Sequence, residues 1–242
     1  MASVEIVDRS DLITKLDQAL LLRPRETAIV AVDMHRGHLD MEIATMPATP
    51  EDARRVIARS AEILAFARAH AMPVVHVTLV HRKLPGLGSE SMAQPFWHAV
   101  ARVREADKRL TPGRASTVTE HNLVGSPGTE IIPALFAEGD YVIDNKKRLD
   151  CFYGTDLRGL LDTLGIANVC LMGINTNTCV LNTAFSAFNF DYRVIVLSDC
   201  VASMYGEDLH VLGLQNVARC LGWVLSNDDF KAKIEQGARR ND

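Results

Sequence analysis

Cys179 lies in Gly173-Ile-Asn-Thr-Asn-Thr-Cys-Val-Leu-Asn-Thr-Ala184, directly behind the apolar run Asn168-Val-Cys-Leu-Met172. A thiol placed where a buried strand turns into a helix can act as a nucleophile, or can simply fill a small space in the core. Two further groups stand at similar points. Asp33 follows the apolar or small residues Ala28 to Val32, and Lys146 with Lys147 follows Val142-Ile-Asp-Asn. A carboxylate at a strand end is partly desolvated and suited to proton transfer, and a lysine beside it supplies positive charge. Taken singly, each group has a plainer role: a packed thiol, a turn cap, a pair of surface lysines. Spacing alone does not choose between Lys146 and Lys147.

The elements around these residues bring them together. Apolar runs of strand length occur at Thr27 to Met34, Pro73 to Val80, Asp140 to Asp144, Asn168 to Met172 and Arg193 to Leu197. They are rich in Val and Ile, as strands covered on both faces are. Helical spacing fills the intervals: Val56, Ile57, Ala61, Ile63, Leu64 and Ala67 form one stripe within Glu51 to Ala71, Leu157, Leu160, Leu161 and Leu164 another, and Ala184, Phe185 and Phe188 a third. A helix from about Glu207 to Leu221, a short strand at Gly222 to Leu225 and a terminal helix capped at Ser226-Asn-Asp-Asp complete the alternation. The pattern predicts an α/β fold of three αβα layers around a doubly wound, mostly parallel sheet. In such a sheet the carboxyl ends of neighbouring strands share one crevice, where carboxylate, ammonium and thiol would meet. The lysine charge and the start of the helix near Thr178 would then favour a thiolate at Cys179, with Asp33 as its base.

Residues 81 to 128 interrupt the rhythm with His81-Arg-Lys, Gln94-Pro-Phe-Trp-His98, Thr111-Pro-Gly and Gly125-Ser-Pro-Gly128. So long an irregular excursion predicts a lid or binding segment on a single domain spanning residues 1–242. The chain has 48% hydrophobic residues and a net charge of −4, with its basic residues scattered, which argues against a nucleic-acid partner. Glu5, Asp8, Arg9, Asp11 and Lys15 break up the first segment, and no run reaches membrane-spanning length. Five cysteines at 151, 170, 179, 200 and 220 lack zinc-site pairing and disulfide density. These features predict reduced thiols and a cytoplasmic protein that needs no membrane.

The residues that end these strands, together with Gly125-Ser-Pro-Gly-Thr-Glu-Ile, Lys146 six positions before Phe152 in KKRLDCFYGTDL, GINTNTCV, RVIVLSDCVAS and the later His210, make the chain resemble the isochorismatase-like cysteine hydrolases. That group includes nicotinamidases, N-carbamoylsarcosine amidohydrolases and biuret hydrolases. The resemblance implies a triad of Asp33, Lys146 and Cys179, Lys146 being selected over Lys147 by its spacing to Phe152. It also implies a non-proline cis peptide between Ile174 and Asn175, and an oxyanion hole from the Asn175 and Cys179 N–H groups. The activity implied is hydrolysis of a C–N bond in a small amide or ureido (N-carbamoyl) substrate, through a thioester and with release of ammonia. The alternatives are an isochorismatase-type vinyl ether hydrolase, which does not use the thiol, and a nicotinamidase. Nicotinamidases carry a metal-binding Asp-x-His near the second strand; no such motif follows PVVHVTLVH here, so neither metal nor other cofactor is expected. A non-enzymatic partner domain has no need of all three triad residues. Substrate contacts are expected from His35, Arg36, His38, Arg82, Trp97, Phe152 and Tyr153, the cationic ones facing a carboxylate-bearing or strongly polar substrate. A homodimer or homotetramer is expected from the same likeness.

Overall fold

The computed structural model describes residues 5–103, 111 and 113–239. In chain order its elements are α1 (Ser10–Ala19), β1 (Thr27–Val32), α2 (Arg36–Leu39), α3 (Pro50–Ala69), β2 (Val74–Leu79), β3 (Lys83–Leu84), β4 (Gly88–Ser89), α4 (Pro95–Val103), β5 (Tyr141–Lys146), α5 (Leu157–Thr163), β6 (Asn168–Ile174), α6 (Leu181–Asn189), β7 (Arg193–Ala202), α7 (Glu207–Asn216), β8 (Gly222–Leu225) and α8 (Asn227–Arg239).

Six of the strands form one sheet in the order β5-β2-β1-β6-β7-β8, with every pairing parallel. β1, β2 and β6 are buried at every position, which explains why their sequences are apolar without alternation. β5 is an edge strand and exposes Tyr141 and Val142. One core packs α3 and α8 on one face through Val56, Ile63, Leu64, Phe230 and Ile234. The other packs α5 and α6 through Leu157, Leu161, Ala184 and Ala187. The three-layer doubly wound fold read from the sequence is therefore the fold observed.

The chain lays down β1, β2 and β5 toward one edge, then crosses back to place β6, β7 and β8 on the other side of β1. The reversal falls between β1 and β6, the point at which such sheets open a crevice beyond their strand ends. Close approach there depends on Gly173, whose φ of 118° suits glycine and whose added Cβ would lie 1.9 Å from the Val32 carbonyl oxygen.

Boundaries differ from the sequence expectation where chemistry interrupts periodicity. The helix expected to start near Thr178 begins as a widened π turn at Thr176–Val180 before α6 takes over. The helix expected to run to Leu221 ends at Asn216 and is followed by another such turn, Val217–Leu221. The excursion at 81–128 is less irregular than its Gly and Pro content suggests: β3 and β4 form a small hairpin, and Pro95 opens α4, a helix with no buried residue. Residues 104–110 and 112 of that excursion lie outside the described residues. Among the described residues no helix is long and apolar enough to cross a membrane.

Candidate active site

Asp33 follows the last residue of β1 with a left-handed φ of 52°, an uncommon conformation for a residue other than glycine. Its backbone N–H donates to the Val77 carbonyl at 2.9 Å. One carboxylate oxygen accepts the Leu79 N–H at 2.8 Å, and the other accepts the Lys146 ammonium at 2.5 Å. Both side chains are fully buried. Lys146 ends β5, two strands away, and the register shift that sets Leu79 opposite Lys146 brings it within reach of Asp33. Burial is the largest single influence on Lys146 and works against its charge, yet Asp33, Cys179 and Cys151 together hold the ammonium above its ordinary value. Lys147 points elsewhere and donates to the Val80 carbonyl at 2.6 Å.

Cys179 stands in the π turn behind β6, a distortion frequent at functional sites. The Ile174–Asn175 peptide bond ahead of it is cis. Thr183 clamps the turn: its hydroxyl donates to the Cys179 carbonyl at 2.7 Å and accepts the Cys151 N–H at 3.0 Å. Asn175 Oδ1 accepts the Met204 N–H at 2.9 Å, fixing the turn to the end of β7. Asp33 and Lys146 both act on the Cys179 thiol. Burial nevertheless pushes that thiol up to about 12, because the desolvation of a thiolate outweighs the help of Lys146 while Asp33 opposes it. Cys179 is buried, and that burial favours the neutral thiol over the thiolate expected from the sequence.

A cavity of about 630 Å³ opens onto Cys179. Of the substrate contacts expected from sequence, His38, Trp97 and Tyr153 line it. The others do not. Arg36 is paired with Asp40 and Glu130, both at 2.8 Å, and Arg82 with Glu90 at 2.9 Å. Phe152 turns into the core against Phe190 and Tyr192. His35 is fully buried behind the cavity wall. Formal cations at the cavity come instead from Lys147 and Arg148.

Three residues of the excursion take part that sequence reasoning did not single out. His81 and His121 line the cavity, and Asn122 lies behind it. The Asn122 amide donates to the Leu79 carbonyl at 2.6 Å and to His35 Nε2 at 2.7 Å. Leu79 thereby takes a bond from Asn122 on one side and gives one to Asp33 on the other. Gly37 makes room for this clasp, since a Cβ there would lie 2.1 Å from Asn122 Oδ1. No periodicity marks Asn122, whose left-handed φ of 50° within a turn is the nearest thing to a local signal.

His35, His38 and His121 have ring nitrogens within 4.8 Å of one another, a spacing open to a cation. His35 and His38 are stacked at 4.7 Å with planes 20° apart, and His121 is tilted against both. Buried His35 Nδ1 and His121 Nε2 have no hydrogen-bond partner among the described residues. His35 Nε2 is already engaged by Asn122, and His38 Nδ1 donates to the Met46 carbonyl at 2.6 Å. Burial holds all three below their ordinary value, which leaves a stack of neutral imidazoles. His76 is occupied elsewhere, with Asp140 at 3.0 Å.

A buried carboxylate–ammonium pair touching a thiol, at the reversal point of a parallel sheet, defines a class before any comparison is made. The isochorismatase domain family matches residues 27–229, and the chain belongs to that family. It is 26% identical to a ureidoacrylate amidohydrolase, RutB, of Agrobacterium fabrum, across 91% of this chain and 95% of that one. Among solved structures it is similar to the N-carbamoylsarcosine amidase of Thermoplasma acidophilum, with 25% identity, a TM-score of 0.60, and coverage of 84% of this chain and 97% of that one. A cysteine hydrolase from Pseudomonas syringae pv. phaseolicola shares the fold, with a TM-score of 0.71 at 23% identity over 90% and 96% of the two chains.

Proposed function

We propose that this protein is a cysteine amidohydrolase acting on the C–N bond of a ureido or related amide substrate. The observation that carries the reading is the contact of Asp33, Lys146 and Cys179 behind one cavity, with the sulfur the member that faces it. Likeness to a ureidoacrylate amidohydrolase and an N-carbamoylsarcosine amidase supports the ureido head group.

Burial favours the protonated thiol, so its proton must leave as the S–C bond forms. Asp33 accepts that proton while the sulfur attacks the carbonyl carbon. The oxyanion is held by the Asn175 and Cys179 N–H groups, a donor of this kind being worth about 3 kcal/mol in a transition state. Asp33 then returns the proton to the leaving nitrogen, and ammonia departs from a Cys179 thioester. A water that gives its proton to Asp33 attacks the thioester carbonyl, and the thiol is regenerated as the acid leaves. With a ureido substrate that acid is a carbamic acid, which breaks down to an amine and carbon dioxide. Lys146 holds the Asp33 carboxylate in place through their buried ion pair. The excursion carrying α4 acts as the lid, and a homodimer or homotetramer is part of the same proposal.

Ammonia release by purified protein from a panel of ureido acids and acid amides tests the reading. Cys179→Ala and Cys179→Ser should abolish it with the fold intact. Hydrolysis that persists in Cys179→Ala would remove the thiol from the mechanism and point to vinyl ether chemistry instead.

A further inference from the structure

The cavity is much larger than its chemistry requires. The polar groups near the sulfur, Asn175, Thr178 and Asn182, suffice for a ureido or amide head, whereas about 630 Å³ falls within the range of pockets that enclose drug-sized ligands. Much of the remaining lining is apolar or aromatic, including Leu79, Phe96, Trp97, Leu149, Tyr153 and Tyr205, with His38, His81, Ser91, Gln94 and His121 set among them. A bare ureido acid would leave this apolar surface uncovered.

α4 sharpens the point. The helix buries none of its residues, yet it carries Phe96 and Trp97, set edge to face at 5.9 Å, into the lining. Phe96 remains 69% exposed and Trp97 is half-buried, so much of Phe96 finds no cover among the described residues. Flat aromatic surfaces left uncovered beside a reactive group favour a flat apolar ligand, which they can stack against or meet edge-on.

Charge marks part of the same wall. Among the described residues, the formally charged groups of the lining are Lys147, Arg148 and Asp150. Both carboxylate oxygens of Asp150 are occupied, one by the Phe152 N–H at 2.9 Å and one by the Ser186 hydroxyl at 2.8 Å. Lys147 gives one N–H to Val80, and Arg148 gives one to the Lys147 carbonyl, so each cation keeps further donors. The balance suits an anion.

We propose that the substrate joins its ureido or amide head to a bulky aromatic tail and a carboxylate, the tail covered by Phe96, Trp97 and Tyr153 and the carboxylate met by Lys147 and Arg148. This rests on the reading of Cys179 as the nucleophile and adds to it a selectivity that a small ureido acid would not reveal.

N-carbamoylphenylalanine in both enantiomers, N-carbamoylglycine, and the alcohol counterpart of N-carbamoylphenylalanine that lacks the carboxylate are the probes. Ammonia release should show kcat/KM at least tenfold higher for one phenylalanine enantiomer than for the glycine compound. Trp97→Ala should reduce that ratio at least fivefold, chiefly through KM. Arg148→Gln should narrow the preference for the acid over the alcohol. In parallel, Cys179→Ala protein titrated with N-carbamoylphenylalanine should change its tryptophan emission, which reads binding apart from chemistry. Equal turnover of the phenylalanine and glycine compounds, still dependent on Cys179, would overturn the aromatic tail and leave the amidohydrolase standing. Fluorescence-detected binding with no turnover of any compound would sink the amidohydrolase and keep the pocket assignment. A ratio unmoved by Trp97→Ala would overturn the placing of the aromatic tail against α4.

Discussion

Acid should unfold this protein in the range where free histidine titrates, before its carboxylates are neutralised. Burial holds His35, His38, His121 and His81 below the ordinary 6.5, and for His81 the value falls to about 4. In the unfolded chain each imidazole takes up a proton as pH drops through about 6.5, while in the folded chain it does not. Wherever the unfolded state binds more protons, stability falls as pH falls, so the sign is a loss on acidification. Each such group contributes about 1.4 kcal/mol per pH unit, and His81 alone contributes about 3 kcal/mol by the time pH reaches its folded value. His35, His121 and His81 together give a slope of up to about 4 kcal/mol per unit between roughly pH 6 and 5, to which His38 adds, against a total domain stability of about 5–15 kcal/mol. Guanidinium unfolding followed by circular dichroism should show a midpoint that is steady from about pH 8 to 7, drops steeply below about 6.5, and vanishes near pH 5. His121→Gln removes one titrating group and should flatten that slope by about 1.4 kcal/mol per unit. A midpoint that holds level down to about pH 5 would refute the neutral buried stack, as would a His121→Gln slope identical to that of the parent.

Other perturbations probe the remaining parts. Lys146→Met should cost about 3–5 kcal/mol in chemical denaturation, since it strands the Asp33 carboxylate without its buried partner; a near-neutral result would show that the pair is not buried together. Asn122→Asp sets an acceptor against the Leu79 carbonyl in place of a donor and should destabilise the fold by about 2–3 kcal/mol while lowering kcat, measured side by side. Gly173→Ala forces a Cβ onto Val32 and should lose more than about 4 kcal/mol or prevent folding, read from soluble yield and unfolding midpoint. With iodoacetamide near neutral pH and mass-spectrometric mapping, exposed Cys220 should be labelled well before buried Cys179. First labelling at Cys179 would restore the resting thiolate.

Much of the architecture was legible because β1, β2 and β6 are buried on both faces, and such strands have little choice but to be continuous Val- and Ile-rich runs. The helices over them are read from one-sided stripes for the same reason. Legibility failed where long-range partners decide. Arg36 looked available for substrate, but Glu130, 94 residues on, takes it, and no local pattern announces that pairing. The Asn122 clasp was invisible likewise, being made with Leu79 and His35, 43 and 87 residues away. The thiolate expectation for Cys179 left depth out of account. Sequence placed a cation near the sulfur but said nothing of how little water reaches it, and desolvation was the larger effect. α4 was hidden by the Gly and Pro around it, although Pro95 was itself the start signal.

The Asn122 clasp also divides the excursion into two regions with separate anchors. Everything from Asn122 to β5 is tied to the reacting groups through Leu79 and through the bridge between His35 and Ile131, so its length and path are constrained. The described residues ahead of it have a second mooring of their own, the Thr111 hydroxyl lying 2.8 Å from the Pro47 carbonyl and 2.9 Å from the Met204 carbonyl and the Thr117 N–H donating to the Thr45 carbonyl at 2.7 Å. The cavity wall that carries α4 is thus moored apart from the groups that react, so a change in one need not be felt by the other.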